Sequence, residues 1–259
     1  MRAKVIVAAV VAAVVAISAM TLAILANSSP SKSTSIENEY PEIATGDQIY
    51  GRSLEHWAKE FWQWNVATRV DNIPVDEKTG LQGCIKGSDS EDKMIFLIDG
   101  YGMTYSGQCT ISSAKPILVP LLISDEDAGS TTDPRVVPGK IEGYWASAKD
   151  YNEVFKSWEV RLDNKTLFKR AGNEEVNIGL LSQILVRNSS FFTLNVPPEN
   201  KFDNKPGSYE AVVDGYYLVL NPLSPGRHLL EYKYTQEQRI PGADLSYVYG
   251  NMRYVLDVS

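Results

Sequence analysis

Two stretches near the end of the chain show the clearest β pattern. Side chains in Tyr209–Leu220 are mostly apolar on both sides of a period-two alternation, which predicts a central strand covered on both faces. In His228–Thr235 one side is apolar and the other mainly polar, which predicts a half-buried strand. Pro225-Gly226 suits the centre of a type II turn, because proline presets a negative φ and glycine accepts the positive φ that follows. We therefore predict that the two strands form a hairpin.

Shorter apolar runs, bounded by turn residues, recur along the rest of the chain. They predict strands at Met94–Asp99, Cys109–Ile111, Ile117–Ser124, Trp158–Leu162, Thr166–Phe168, Leu180–Arg187, Ser190–Val196 and Met252–Val258. Pro120 inside one run indicates a bulge or an edge position, since proline cannot donate a backbone hydrogen bond. The pattern predicts a mainly β fold, namely a β-sandwich or jelly-roll-like domain with one or two short helices.

One segment follows helical spacing instead. In Ser53–Thr68 large apolar residues recur every three or four positions, and Ser53 can cap the helix. An aromatic stripe at this spacing could hold a ligand, but such a stripe more often packs against a sheet, so we predict that it belongs to the core. Ala148–Phe155 is predicted to be a second, shorter helix.

The N-terminal segment is strongly apolar. Val5–Ala26 has no charged residue in 22 positions. As a helix it would span about 33 Å, enough to cross a bilayer. Arg2 and Lys4 precede it and favour the cytoplasmic side, so the rest of the chain is expected outside the membrane. Residues 1–26 are therefore predicted to be a transmembrane signal anchor or a cleaved signal peptide, and the sequence leaves both open.

The composition changes after this apolar segment. Residues 27–46 are rich in serine, threonine, proline and charge, which predicts a flexible tether. Residues 47–259 contain the strands and form the predicted extracytoplasmic β-sandwich domain. In an exported glycoprotein, the triplets that begin at Asn27, Asn164 and Asn188 would be candidate glycosylation sites.

Charge narrows the range of partners. The formal net charge is −7, and removing the positive charges of Arg2 and Lys4 leaves −9. Because phosphate binding needs a basic surface, an acidic body argues against nucleic acid as a partner. It also argues against docking on anionic lipid through a basic patch. The expected membrane contact is therefore the N-terminal helix alone.

The sequence has two cysteines, Cys84 and Cys109. In an exported protein such a pair is expected to form a disulfide, whereas in the cytosol it would stay reduced. The bond would close a loop of about 25 residues and stabilise the fold by about 3–4 kcal/mol on the chain-entropy account. The two cysteines and two histidines do not have the spacing of a zinc site.

No catalytic residue is assigned from the sequence. A serine hydrolase needs an activated serine, but there is no Gly-x-Ser-x-Gly motif, and neither His56 nor His228 has an evident partner. His228 is expected to be a structural, hydrogen-bonded histidine. The carboxylates that could form a glycosidase-like pair are numerous: Asp71, Asp76, Asp99, Asp125, Glu126 and Asp214.

Calcium is the one ion that the sequence suggests. Asp89–Asp92 and Asp125–Asp127 offer carboxylate oxygens in predicted loops, although neither matches the twelve-residue calcium loop. Solvated acidic loops are the alternative interpretation. No other cofactor is expected, because the sequence has neither a glycine-rich phosphate loop nor a dinucleotide fingerprint.

Several short motifs, in a fixed order, resemble an uncharacterised family of exported, membrane-anchored archaeal and bacterial proteins. They are Trp57, Trp62-Gln63-Trp64, Ile73-Pro74, Asp76, Gly80, Cys84, Ile95-Phe96-Leu97, Cys109-Thr110-Ile111, the strand from Ile117 to Leu121, Phe192-Thr193-Leu194, Val196-Pro197, Asp214-Gly215-Tyr216, Asn221-Pro222-Leu223 and Pro225-Gly226-Arg227-His228. The family pattern has a glutamine and an arginine near the positions of Ser88 and Gln108 here. The resemblance implies exported β architecture and no activity.

Two functions from different classes remain. The first and favoured one is a cell-envelope β-sandwich protein, membrane-anchored or secreted, that binds a glycan or another surface protein. The second is an extracellular hydrolase with a carboxylate pair. Recognition is expected in Asp71–Gly83, Asp125–Pro138 and Asn200–Gly207. Tryptophans on an exposed face would favour binding, and a cleft with two carboxylates would favour hydrolysis.

Overall fold

The fold is known from a computed structural model that describes residues 40–69, 75–99, 103–129, 131–152, 155–238 and 246–259. Strands account for 47% of the structure and helices for 16%, so the protein is mainly β, as predicted. Within the described ranges no helix is both long and apolar enough to span a membrane. The predicted span Val5–Ala26 lies outside them, as do the sequon at Asn27 and the candidate carboxylate Asp71.

The described residues form helices α1 (Leu54–Ala67), α2 (Ile141–Asn152) and α3 (Leu181–Ile184), the last preceded by a 3₁₀ turn, Ile178–Leu180. The strands are β1 (Ile43–Ala44), β2 (Lys86–Ser88), β3 (Ile95–Leu97), β4 (Thr104–Ile111), β5 (Ile117–Asp127), β6 (Phe155–Leu162), β7 (Lys165–Ala171), β8 (Glu174–Val176), β9 (Leu185–Arg187), β10 (Phe192–Val196), β11 (Gly207–Leu220), β12 (Gly226–Gln238) and β13 (Ser246–Val258).

These strands form two mixed sheets. The first sheet has the order β1-β11-β5-β3-β2, and β9 and β10 also pair with β11. The second sheet has the order β4-β13-β12-β6-β7-β8. In the described part of the chain, β3 pairs with β5 and β4 with β13 in parallel, and the other ladders are antiparallel.

Strand β11 is the centre of the first sheet. One edge pairs with β5 from Ala211 to Leu220, and the other edge pairs in turn with β10, β9 and β1. Val213 and Tyr217 pack in the cluster that contains α1, whereas Val212 packs against α2 and Tyr216 against the second sheet. The sequence prediction of a strand covered on both faces is confirmed.

Helix α1 covers one face of this strand through its aromatic residues. Trp57 and Phe61 are fully buried, and Trp62 is 4% exposed. Their polar atoms are satisfied, because the Trp57 indole N–H donates to the Ile49 carbonyl at 2.7 Å and that of Trp62 donates to the Tyr217 hydroxyl at 2.7 Å. The aromatic stripe therefore belongs to the core, as predicted. The predicted cap is also confirmed, since the Ser53 hydroxyl accepts from the backbone of the first turn.

The two sheets are joined by covalent and aromatic contacts. Cys84 and Cys109 form the predicted disulfide with Cα atoms 5.0 Å apart, and it ties the segment before β2 to β4. Trp158 of the second sheet meets Tyr216 of the first edge-on, with ring centroids 5.0 Å apart. These contacts hold the sheets together at two separate places.

The predicted hairpin is wrong. Both strands exist, but β11 belongs to the first sheet and β12 to the second, so they do not pair. Asn221–Pro225 carries the chain between the sheets, and its two prolines cannot donate to a ladder. The Asn221 N–H is bonded to the Glu42 carbonyl at 2.8 Å, which ends β11 against the segment beside β1.

Other boundaries also differ from the sequence predictions: β4, β6 and β13 begin three to six residues earlier than predicted. The acidic stretch Asp125–Asp127 is strand and not loop, because β11 continues and supplies its pairing partners. The short helix begins at Ile141 and ends at Asn152, so its first half was missed. Only the last three residues of the predicted strand Leu180–Arg187 are extended, and a 3₁₀ turn and α3 occupy the rest.

Two further sequence predictions, the bulge at Pro120 and the tether 27–46, can be compared with the structure. The bulge expected at Pro120 is confirmed, because the register between β5 and β11 shifts between Pro120 and Leu122. Ile43–Ala44, within the predicted tether 27–46, form β1 and pair with Leu220 and Val219.

We expect Trp57→Ala to lower the free energy of unfolding by about 3–5 kcal/mol, because it leaves a cavity under α1 and removes a buried hydrogen bond. Tyr249→Ala is the matched aromatic control, since Tyr249 is 58% exposed, and it should change stability by less than about 0.5 kcal/mol. Urea unfolding followed by circular dichroism measures both. Equal effects would contradict the assignment of α1 to the core.

Candidate functional site

The tryptophans do not form an exposed binding face. Trp158 is 5% exposed and, like Trp57 and Trp62, belongs to the core. Trp64 is half-buried and lies directly against Gly87, where a Cβ atom would overlap the indole ring. The glycine at this position in β2 is therefore required for close packing, and the tryptophans do not supply the aromatic surface that a sugar-stacking site would use.

A histidine, a serine and an aspartate come together where the chain enters β12. His228 Nδ1 lies 2.6 Å from Asp163 Oδ2, and Nε2 lies 3.5 Å from the Ser224 hydroxyl. Asp163 and Asn164 have φ of 49° and 68°, which suits the two-residue turn between β6 and β7 and brings Asp163 to His228. The three side-chain types match a serine-hydrolase triad, so their hydrogen bonds decide whether they can act as one.

The hydrogen bonds favour a structural role. His228 Nε2 is only 2.9 Å from the Ser224 backbone carbonyl, which can only accept, so this nitrogen carries a proton. Burial alone would lower the pKa of His228, but hydrogen bonds to Asp163 and to the Ser224 carbonyl outweigh it, and the pKa is raised. Asp163 Oδ1 also accepts from the Leu229 N–H at 2.8 Å. A histidine that donates from both nitrogens cannot take a proton from serine.

The sequence could not identify this constellation, because Asp163 lies 65 positions before His228. The expectation that His228 is hydrogen-bonded is confirmed, and its structural role stays a prediction. The statement that it has no evident partner is corrected, since Asp163 and Ser224 are both in contact with it.

Most candidate carboxylates are engaged in local structure. Asp76 accepts from the backbone N–H groups of Thr79 and Lys78, each at 2.9 Å. These hydrogen bonds lower the pKa of Asp76, and the bond from Thr79 has the largest effect. Asp214 is buried and paired with Arg187 at 2.5 Å. Neither carboxylate is placed as a free acid or base.

The three acidic residues at the end of β5 have different surroundings. Glu126 accepts from the Ser147 hydroxyl of α2 at 2.6 Å, and burial raises its pKa. Asp127 accepts from the Gly129 N–H at 2.7 Å. The Asp125 residue is partly buried and its carboxyl group is desolvated, and this desolvation raises its pKa well above the usual range. The charges of Asp127, Glu126 and Asp99 add to this rise.

Asp99 takes part in a buried polar cluster at the end of α1. Its Oδ2 accepts from Asn65 Nδ2 at 2.8 Å and forms an ion pair with the Lys201 ammonium. Asp99 is 6% exposed and Asn65 is fully buried. Sequence reasoning named Asp99 among the carboxylates but missed Asn65 and Lys201, because an asparagine in a helix and a lysine in a loop carry no signal of burial.

The carboxylates of the predicted calcium loop Asp89–Asp92 are engaged in local contacts. Asp89 accepts from the backbone of Lys93 at 2.6 Å and of Met94 at 2.8 Å, which closes a turn. Glu91 pairs with Arg52 and Lys93, and these contacts lower its pKa. Nowhere in the described part of the chain do three or more histidine, cysteine or acidic side chains lie close enough to hold a metal ion.

The two described sequons have different surroundings. Asn164 is exposed in the turn between β6 and β7. Asn188 is fully buried, donates to the Ser190 carbonyl at 2.5 Å and accepts from the Val213 N–H at 2.9 Å. Because Asn188 is buried, a glycan on its Nδ2 would require the side chain to leave its place, so glycosylation stays a prediction that suits Asn164 better.

An open groove of about 460 Å³ lies where the edge strand β2 of the first sheet approaches the edge strand β4 of the second. Hydroxyl groups and two lysines line most of it, with one carboxylate. The lining residues are Lys86, Gly87, Ser88, Asp92, Ile95, Thr110, Ile111, Ser112, Lys115 and Ser259. Lys115 pairs with Asp92 at 2.6 Å, and this contact lowers the pKa of Asp92.

The walls of this groove are joined by a disulfide and by backbone hydrogen bonds. The disulfide partners Cys84 and Cys109 are close neighbours in sequence of Lys86 and Thr110, and the bond ties the two edge strands together. Ser259 accepts from the Ser113 N–H at 2.8 Å and donates to the Ile111 carbonyl at 3.1 Å. The groove therefore exists before any ligand binds, which lowers the entropic cost of binding.

Comparison of the chain with known protein families, with curated proteins and with solved structures gives no match. The resemblance to exported archaeal and bacterial proteins stays a prediction, and any function has to be argued from the site itself.

We expect His228 to stabilise the fold more at low than at high pH. Because its pKa is raised on folding, its contribution is complete below the unfolded pKa of about 6.5 and is lost as the pH rises through the folded pKa. The loss of unfolding free energy in His228→Gln should therefore be larger at pH 5 than at pH 9 in urea titrations.

Asp163→Asn is the matched control for this experiment. Asparagine can still accept from the Leu229 N–H but supplies no charge to the imidazolium. The pH dependence that His228 contributes should therefore shrink in this variant. An equal effect of His228→Gln at both pH values would show that the ring is bound in its neutral form.

Proposed function

We propose that this protein is a non-catalytic β-sandwich binding module of the cell envelope, anchored by residues 1–26 or secreted after their removal. The two sheets and their disulfide would form a rigid body outside the membrane, where disulfides persist. The ligand site is the groove between β2 and β4. Its preformed, hydroxyl-lined walls are the single observation that carries this proposal.

The chemistry of the groove favours a hydroxyl-rich ligand with negative charge, such as an acidic glycan. Ser88, Thr110 and Ser112 supply hydroxyl groups that both donate and accept. Lys86 and Lys115 supply two positive charges against the single carboxylate of Asp92. Because Lys115 is paired with Asp92, the excess is the one positive charge of Lys86, on a chain whose formal net charge is −7.

The hydrolase alternative has less support. Asp99 and Asp125 are close enough for the charge of Asp99 to raise the pKa of Asp125. The Asp99 side chain, however, is buried and bound to Lys201, so this pair lacks the open cleft that a polymeric substrate requires. The open groove contains Asp92 and no second carboxylate among its lining residues.

We expect isothermal titration calorimetry to show binding of uronic-acid oligosaccharides and weaker binding of neutral ones of equal length. Lys86→Ala should weaken binding about fivefold to tenfold, or roughly 1–1.4 kcal/mol, and higher salt should weaken it further. Lys205→Ala is the matched control, because Lys205 is exposed but does not line the groove.

Equal binding of charged and neutral sugars by both variants would contradict the groove assignment. Turnover of any oligosaccharide that disappears in Asp125→Asn, with the fold retained, would replace binding by hydrolysis as the function.

We also expect the body to be accessible from outside the cell. Protease added to intact spheroplasts should digest residues 47–259, because Arg2 and Lys4 hold the N-terminus on the cytoplasmic side. A cytoplasmic marker enzyme that stays intact shows that the spheroplasts are sealed. Digestion of the body only after lysis would reverse the proposed orientation.

A further inference from the structure

The buried cluster at the end of α1 contains a nucleophile, an acyl group and a base. Asn65 lies in the last turn of α1, Asp99 follows β3, and Lys201 lies in the loop between β10 and β11. The side chains of Lys201 and Asp99 are 7% and 8% exposed. An amine, a carboxamide and a carboxylate thus meet in a place from which water is nearly excluded.

Their hydrogen bonds place each group where an acyl transfer would need it. Lys201 Nζ lies 3.2 Å from Asn65 Oδ1, so the amine is against the carboxamide. Asp99 Oδ2 contacts both Lys201 Nζ and, at 2.8 Å, Asn65 Nδ2. One carboxylate oxygen therefore bridges the nitrogen that would attack and the nitrogen that would leave, which is the position of a general acid–base.

Hydrogen bonds hold the loop that contains Lys201 against the end of α1. The Lys201 N–H donates to the Val66 carbonyl at 2.8 Å, which docks the loop on the end of α1. One turn earlier, Gln63 donates to the Asn195 carbonyl at 2.8 Å and accepts from its N–H at 3.0 Å. These contacts hold reacting groups together without a substrate-binding step, which raises their effective concentration.

Aromatic rings and a turn complete the enclosure. The Phe202 ring lies 5.1 Å from Lys201 Nζ, and Trp62 packs on the same ring with centroids 6.4 Å apart. Asn200 fixes the loop by donating to the Pro197 carbonyl at 3.1 Å and to the Asn204 carbonyl at 2.8 Å. A desolvated amine and a desolvated carboxamide react more readily than hydrated ones.

We propose that Lys201 and Asn65 form an intramolecular amide cross-link. Asp99 removes a proton from the Lys201 ammonium, and the amine lone pair attacks Asn65 Cγ, so that an Nζ–Cγ bond forms. Asp99 returns the proton to Nδ2, the Cγ–Nδ2 bond breaks, and ammonia leaves. Asp99 takes up the second proton lost from Nζ and ends as a neutral carboxylic acid, so that no buried charge is left without a partner. No oxidant or cofactor is needed.

The geometry assigns the acyl group to Asn65 and the proton transfer to Asp99. Asp99 contacts both nitrogens, whereas Asn65 Oδ1 contacts only the amine among the three groups. If Asp99 were the acyl group instead, the reaction would release water and leave the Asn65 carboxamide intact. The mass of the product distinguishes the two outcomes.

The cross-link would connect α1 to the segment before β11 across 136 positions of the chain. Together with the disulfide, it would tie the helix, the first sheet and the edge of the second sheet into one covalent body. This inference concerns the chain itself and does not depend on the proposed ligand.

The test is peptide mapping of the full-length protein after folding, disulfide reduction and trypsin digestion. The tryptic peptide Glu60–Arg69 should be found joined to the peptide that contains Lys201, with a mass about 17 Da below their sum, the mass of ammonia. On a reducing denaturing gel, the looped wild-type chain should migrate faster than an uncross-linked one.

Lys201→Arg is the matched control, because arginine keeps the positive charge beside Asp99 but cannot form the amide under these conditions. It and Asp99→Ala should give unmodified Glu60–Arg69 and the slower gel mobility. The wild-type digest decides the proposal even if a variant does not fold. Separate, unmodified peptides in wild type would overturn it, and a deficit of about 18 Da with Lys201 joined to Asp99 would overturn the assignment to Asn65.

Discussion

The burial of β11 on both faces is the constraint on which the rest of the structure depends. Residues 211–215 and 217–220 are all buried, so a run of nine backbone positions and two polar side chains have little access to water. Each polar group on such a strand needs a protein partner, since an unpaired one costs about 1–3 kcal/mol. Arg187 supplies the partner of Asp214, and Trp62 supplies that of Tyr217.

The same rule, that buried polar groups need partners, applies to the polar cluster at the end of α1. Asp99 cannot stay buried as a charge without Lys201, and removing one member of such a pair typically costs about 3–5 kcal/mol. Burial also raises the pKa of Tyr217, Tyr232 and Tyr254, so these phenols are neutral around the carboxylates. A dry, hydrogen-bonded enclosure of this kind is both a source of structural specificity and the setting that acyl transfer requires.

Unlike the buried cluster, the groove is open and lies on the edge strands of the two sheets. Strands β2 and β4 each lie at an edge of their sheet, as β8 does, and the disulfide ties β4 to the segment just before β2. Central strands thus provide the body of the fold, and on the proposed function edge strands would provide the surface for recognition. This division suits a binding module whose ligand is small compared with the body and is met in solution.

The sequence by itself determined the features that depend on local pattern. The period-two runs predicted a mainly β fold and the double-sided burial of β11, the spacing in Ser53–Thr68 predicted α1 and its cap, and Pro120 predicted the bulge. The cysteine pair predicted the disulfide, because only one pairing was available. Local backbone preferences and side-chain periodicity depend on neighbouring residues only, so the amino-acid sequence is sufficient to predict them.

Only the tertiary structure decided which strands pair and which side chains meet. Pro225-Gly226 permitted a hairpin, but the burial of β11 under α1 and of β12 in the second sheet separated the two strands. The contacts of Asp163 with His228 and of Lys201 with Asp99 and Asn65 join residues separated by 65 to 136 positions. Such contacts depend on how whole helices, strands and loops pack, so no local sequence pattern predicts them. The groove has the same origin, because its walls come from two sheets that the sequence shows only as separate strands.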